Sequence, residues 1–277
     1  MFQLPADSPK KYPAAARCIY CASVEALGEE HIIPFGLGGK STLPRGSCKK
    51  CAKITGAFEG TCLRTILGPL RMYFDLPSRR KNERPKKLPL KVKLTASADW
   101  SYIDVDQESY PFLILMPLLP LPDELSGHTT LGERGAKVKQ LWIRGASFRH
   151  GITPHVQELA EKLGVAVIEP TATFKAAEFF RMLAKIAHSF ALAEMGSDAL
   201  VPFLRPIICD GETGNSVQYI GGLETTEAAV NILHELSFCS LPAAARDVIA
   251  VRIRLLAALE TPTYFVAVGR LTSGGTP

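Results

Sequence analysis

The chain has 277 residues, 47% of them hydrophobic, and a formal net charge of +5. That length and apolar content exclude a disordered or fibrous chain and allow one large domain, or a small domain followed by a larger one. The mild basic excess permits an anionic partner without demanding one.

Residues 1–16 read as a loose leader, and "MFQLPADSPKKYPAAA" lacks the apolar centre of a secretory signal. Cys18-x-x-Cys21 and Cys48-x-x-Cys51 follow, with a helix expected from about Lys49 to Met72 and a break near Gly68-Pro69. The basic stretch "SRRKNERPKKLPLKVK", residues 78–93, carries Pro85 and Pro89 and reads as an extended linker. Residues 94–277 read as a mixed α+β region. "KQLWIRGASF" and "VAVIEP" suggest strands. "TPHVQELAEKLG" between them fits a helix capped by Thr153 and ended by Gly164. Residues 173–195 give the strongest helical pattern, with Ala176, Phe179, Phe180, Leu183, Ile186, Ala187 and Phe190 at helical spacing. "FLRPIIC", "SVQYIGG", "DVIAVRIRLLAAL" and "PTYFVAVGRL" suggest further strands. The most apolar run, Pro111 to Pro122, is too short and too rich in proline to span a bilayer. A soluble, cytoplasmic protein with no membrane partner is expected.

The seven cysteines divide into two CxxC pairs and three scattered residues, Cys62, Cys209 and Cys239, which read as buried thiols. Paired CxxC in such a chain reads as zinc. Four thiolates can enclose one Zn²⁺ tetrahedrally and leave it no open position, so this ion is expected to be structural. It would staple a region too small to be held by its own core.

Between the pairs lies "EEHIIPFGLGG": acids beside a histidine, then β-branched residues, a proline and a glycine-rich turn. Taken in order, "CIYC", "EHIIP", "LGG" and "CKKC", across residues 17–60, resemble the HNH endonuclease family in its zinc-stapled, treble-clef form with a ββα-metal core. The resemblance implies a small zinc-bound ββα domain at residues 1–77, the basic linker at 78–93, and an α+β domain of unassigned role at 94–277. It implies a metal-dependent endonuclease that hydrolyses DNA phosphodiester bonds, with RNA left open as a substrate. His31 would be the general base, since a neutral imidazole near its own pKa can take the proton of a water. Glu30 would be an acidic ligand for a catalytic Mg²⁺ or Mn²⁺, which carboxylate oxygen suits.

The pattern then departs from the family. The middle position, usually an orienting asparagine, falls near Leu43, and the last, usually a metal-binding Asn or His, falls on Ala52. Three readings stay open. The site could be rewired through Thr55 or Glu59, one and two turns beyond Ala52, although two turns is roughly 10 Å of rise. Water or the C-terminal domain could supply the missing oxygens. Or the site is catalytically degenerate, leaving a zinc module that binds nucleic acid or a protein partner. The basic residues after the motif read either as a solvated linker or as phosphate contacts, with Arg71, Arg79, Arg80 and Arg84 as the candidates. The C-terminal domain could sense a ligand or protein partner that controls the nuclease. His188 reads as a packed helix residue and His234 as a strand or helix residue. His128, His150 and His155 fall in or beside loops.

Overall fold

A computed structural model describes residues 3–111, 114–126, 142–146, 152–169, 173–239 and 247–272. His128 and His150 lie outside this set. The described chain is a mixed α and β fold.

It opens with an antiparallel hairpin of β1 (Leu27–His31) and β2 (Thr42–Cys48), which sets Glu30 opposite Leu43 and His31 opposite Thr42. The glycine-rich turn between them is a steric necessity. Gly38 has φ +88°, and a Cβ on Gly39 would come within 2.3 Å of the Ile33 carbonyl oxygen. Helix α1 (Lys49–Arg64) begins directly after β2, capped by Cys48, whose Sγ accepts from the Cys51 N–H at 3.5 Å. The expected helix of residues 49–72 is two helices. The second, α2 (Gly68–Tyr73), starts afresh with Pro69 in its first turn, where a missing N–H costs nothing.

The basic stretch is only partly a connector. It makes one 3₁₀ turn at Lys81–Glu83, then becomes β3 (Lys87–Lys93). This strand pairs antiparallel with β4 (Ser101–Asp106) on one side and β7 (Val167–Glu169) on the other. Among the described residues β7 pairs only with Lys91 to Lys93, so Pro89 lies where β3 has no described partner on that side, as a strand proline requires. A second small pair joins β5 (Ile114–Leu118) to β6 (Trp142–Ala146), with α3 (Asp123–Ser126) between them. Helix α4 (Ile152–Leu163) ends at Gly164, φ +65°, as its sequence predicts. It begins at Ile152, so Thr153 and His155 lie inside it, and Thr153 is not the cap.

The long helix α5 (Ala176–Met195) precedes β8 (Leu200–Pro202), α6 (Ser216–Tyr219), β9 (Ile220–Thr226), β10 (His234–Phe238), β11 (Val248–Leu255) and β12 (Pro262–Leu271). These strands form an antiparallel sheet in the order β10-β11-β12-β8, with β9 also on β12. Two expected strands differ. "FLRPIIC" forms a turn of π-helix at Pro206–Asp210, closed by Gly211 at φ +76°. Pro206 has no N–H for a ladder, and the run lacks the alternation of a half-buried strand. "SVQYIGG" is helical until Tyr219 and extended only from Ile220.

Helix α5 packs against α1 on one side and against β9, β11 and β12 on the other. It is therefore enclosed nearly all round. Every residue from Phe179 to Ala193 except Arg181 is buried, as an all-round apolar helix requires. One large cluster of buried apolar residues takes in Cys18, α1, α5 and Val268 of β12, and a smaller one joins Leu125, Val248, Ala250 and Ala267. None of the described helices is long and apolar enough to cross a membrane.

Candidate functional site

The first cysteine pair lies in a tight knuckle. The Cys18 N–H donates to the Ser23 carbonyl at 2.8 Å and the Ala22 N–H to the Cys18 carbonyl at 2.9 Å, with Ala22 at φ +61°. The second pair straddles the start of α1. Hairpin and helix together bring the sulfurs of Cys18, Cys21, Cys48 and Cys51 within 4.8 Å of one another, with Cys21 and Cys48 3.6 Å apart. A tetrahedral zinc with Zn–S bonds of about 2.3 Å separates its sulfurs by about 3.8 Å. The four thiols can therefore hold a metal ion such as zinc. Among the described residues no other group of three or more His, Cys, Asp or Glu converges in this way. Cys62 is fully buried away from the cluster, and burial, reinforced by Glu178 and Glu59, pushes its thiol up to about 12.

Helix α5 grips the knuckle from behind. His188 donates from Nε2 to the Ile19 carbonyl at 2.8 Å, and its ring stacks on Tyr20 with centroids 5.5 Å apart. Ile19 in turn donates its N–H to the Gly46 carbonyl at 2.9 Å, tying the knuckle to β2. His234 does similar work on the glycine-rich turn. Its Nδ1 accepts from the Leu256 N–H at 3.2 Å, so Nε2 carries the proton and donates to the Leu37 carbonyl at 2.9 Å.

Beside the cysteine cluster, the end of β1, one face of α1 and residues 78–85 enclose an open cleft of about 970 Å³. His31 lies on its wall, half-buried, with its ring edge-on to Phe35 at 5.7 Å. The imidazole has no hydrogen-bond partner among the described residues. Burial, then the nearby Lys185 charge, hold its pKa below the ordinary histidine value, so the ring is neutral at neutral pH. Leu43 is buried opposite Glu30 and Ala52 is exposed on the cleft wall, and neither offers a polar atom from its side chain. The Thr55 hydroxyl is turned back to the Ala52 carbonyl at 3.3 Å.

Glu30 and Glu59, the two acids expected as metal ligands, converge, although Glu59 lies two helical turns beyond Ala52. What they converge on is Lys185. Its Nζ lies 2.9 Å from Glu30 Oε1 and 2.9 Å from Glu59 Oε1, and it also donates to the His31 carbonyl. Lys185 is 1% exposed and Glu30 5%. Burial alone would lower the pKa of this ammonium, but the two carboxylates outweigh it and hold it raised, so Lys185 is charged. Burial is the largest influence on Glu59 too, pushing its carboxyl up while Lys185 pulls it down. The Tyr20 hydroxyl is buried next to this group. Burial, then the Glu30 and Glu59 charges, keep the phenol neutral.

This arrangement does not suit the divalent ion that the resemblance implies. The position between the two carboxylates is filled by an ammonium, Leu43 and Ala52 supply no side-chain donor, and the Thr55 hydroxyl is committed to its own helix.

The basic residues separate into two kinds. Arg71 is spent internally. It donates to the carbonyls of Gly36 at 2.5 Å, Leu63 at 2.9 Å and Pro77 at 2.9 Å, and burial, then the Arg84 charge, bring it down to about 10. Arg84 binds Asp75 at 3.0 Å and the Leu76 carbonyl, with 15% of its side chain exposed. These two hold the loop together and leave little to offer a phosphate. Arg79 and Arg80 are exposed on the cleft rim. Arg80 meets Glu83 only at 3.5 Å, and Arg79 makes no hydrogen bond or ion pair with the described residues, although its charge reaches His31.

No protein-family model, no curated protein and no solved structure matches the chain. The likeness to HNH endonucleases rests on the motifs of residues 17–60. Sequence reasoning missed Lys185 and His188 as partners of this site. A signal for both existed: they are ionisable residues in the mostly apolar middle of the helix, Met182–Ala193, where a charge must have a partner.

Proposed function

We propose that the chain is a nucleic-acid phosphodiesterase, an endonuclease of HNH type, built on a structural zinc held by Cys18, Cys21, Cys48 and Cys51. The observation that carries the reading is a neutral, unpaired His31 on the wall of a cleft rimmed by Arg79 and Arg80. In this reading Arg79 and Arg80 hold a phosphate of DNA or RNA by their guanidinium forks. His31 takes a proton from the attacking water, and the guanidinium charge offsets the negative charge that builds on the phosphoryl oxygens. No step is routed through a second metal.

A second reading is a zinc module that binds nucleic acid without cutting it. It is favoured by the engagement of Glu30 and Glu59 with Lys185. The two separate in an assay of zinc-loaded protein on plasmid DNA, single-stranded DNA and RNA, with His31→Ala as the control. The nuclease reading expects His31→Ala to lose on the order of 10²–10⁴-fold in cleavage, the usual share of a general base, with zinc content unchanged. Wild type and His31→Ala that bind equally and cut equally little leave the binding module.

A further inference from the structure

Three oxygens lie closest to the Lys185 ammonium, Glu30 Oε1 and Glu59 Oε1, each at 2.9 Å, and the His31 carbonyl oxygen, with the Ile32 carbonyl oxygen further off at 3.4 Å. Two carboxylates and a backbone carbonyl, closely grouped and buried, are the donors a hard divalent cation takes. Here they surround a cation that belongs to the chain. The ammonium donates to the His31 carbonyl and, at 3.4 Å, to the Ile32 carbonyl, and it forms ion pairs with both carboxylates. The charge is delivered by the middle of α5, 154 residues beyond His31. It is fixed by the packing of α5 between α1 and the C-terminal sheet.

We propose that Lys185 is a built-in replacement for a divalent cation: it occupies an oxygen-lined cation site formed by Glu30, Glu59 and the His31 carbonyl, and removing its side chain opens that site to Mn²⁺ or Mg²⁺. Two physical arguments support this. A divalent ion bound at the same oxygens would lie against a fixed ammonium with no water between them to screen the repulsion. Without the ammonium, the two buried carboxylates need another cation or a proton. Lys185 thereby acts as a positioning residue. It holds the carbonyl of His31, and through it the end of β1, in the place a metal would otherwise fix. The inference concerns ion binding and stands apart from the nuclease reading, which enters only through a second arm of the test.

The test uses zinc-loaded full-length protein and Mn²⁺ as the probe, followed by electron paramagnetic resonance and calorimetry. Wild type is expected to bind no Mn²⁺ at concentrations where Lys185→Ala binds one per chain, and the gained site should vanish in Lys185→Ala/Glu30→Gln. Retained zinc and an unchanged circular dichroism spectrum establish that Lys185→Ala is folded. If that variant does not fold, the wild-type titration decides by itself. One Mn²⁺ bound to wild type and lost in Glu30→Gln would overturn the proposal, as would a folded Lys185→Ala with no gain in Mn²⁺ binding. In the activity arm, wild-type cleavage should persist in buffer stripped of free divalent ions while the zinc is retained. Cleavage that depends on Mg²⁺ and is lost in Glu30→Gln would overturn it. Absence of any cleavage defeats the nuclease reading alone, since the Mn²⁺ titration still decides the role of Lys185.

Discussion

Replacing Lys185 with methionine separates its charge from its bulk. The methionine stem fills most of the space of the lysine stem, so the cavity cost is small. What remains is electrostatic. Glu30 is 5% exposed and the Glu59 side chain 17%. Both would lose the Lys185 ammonium, 2.9 Å from each. Removing one partner of a buried ionic group costs about 3–5 kcal/mol. The lost bond to the His31 carbonyl adds about 1–2 kcal/mol. With a urea slope of roughly 2–3 kcal/mol/M, the unfolding midpoint at neutral pH should fall by about 1.3–3.5 M. The sign of the pH dependence follows from the same geometry. In the variant, two buried carboxylates repel each other, so the folded protein holds a proton more tightly than the unfolded chain does. Stability gained from that proton is present at acidic pH and is lost as pH rises through the folded-state pKa. The deficit against wild type should therefore shrink on moving from neutral to mildly acidic pH, and Lys185→Met/Glu30→Gln should recover much of it. The assay is urea unfolding followed by circular dichroism. An unchanged midpoint at neutral pH, or a deficit that is the same at both pH values, refutes the reasoning.

Freshly purified protein should contain one zinc per chain by elemental analysis. Because the cysteine cluster shares its core with α5 and the C-terminal sheet, Cys48→Ser should destabilise the whole chain in one transition, and two well-separated transitions would count against this. Arg79→Ala should weaken nucleic-acid binding and reduce the salt slope by about 0.7–0.9, one phosphate's worth. Arg71→Ala should instead cost on the order of 2–4 kcal/mol of stability through three lost bonds to carbonyls; the reverse pattern in binding and melting experiments would exchange their roles. His31, His188 and His234 all have pKa values lowered chiefly by burial. The unfolded chain therefore binds more protons, and stability should fall as pH drops below about 6.5, the ordinary histidine value. His188→Gln should flatten that fall, and a urea midpoint constant from neutral to mildly acidic pH speaks against it.

The parts of this protein that sequence reveals are those whose signals are local. CxxC spacing marks the four cysteines, and their sulfurs meet. The apolar pattern of residues 173–195 marks α5, and Gly164 marks the end of α4. What stays hidden depends on distant partners. Nothing near Glu59 indicates that its carboxylate meets a lysine 126 residues further on, and nothing near Arg71 indicates that three backbone carbonyls will each take a bond from one of its nitrogens. The π-helical turn at Pro206–Asp210 was obscured by composition, since a short apolar run without alternation suits several backbones.

The route by which Lys185 reaches its partners has a consequence during synthesis. The hairpin and α1 leave the ribosome with both carboxylates in place, while Lys185 follows Glu59 by 126 residues. At roughly 5–20 residues per second the delay is about 6–25 s. For that interval the nascent segment holds five cysteines and a pair of acids without the Lys185 ammonium. A free metal ion or a proton can occupy the acids until α5 arrives and displaces it. The last step of folding is then an exchange of one cation for another, and its rate should depend on which ions the nascent chain meets.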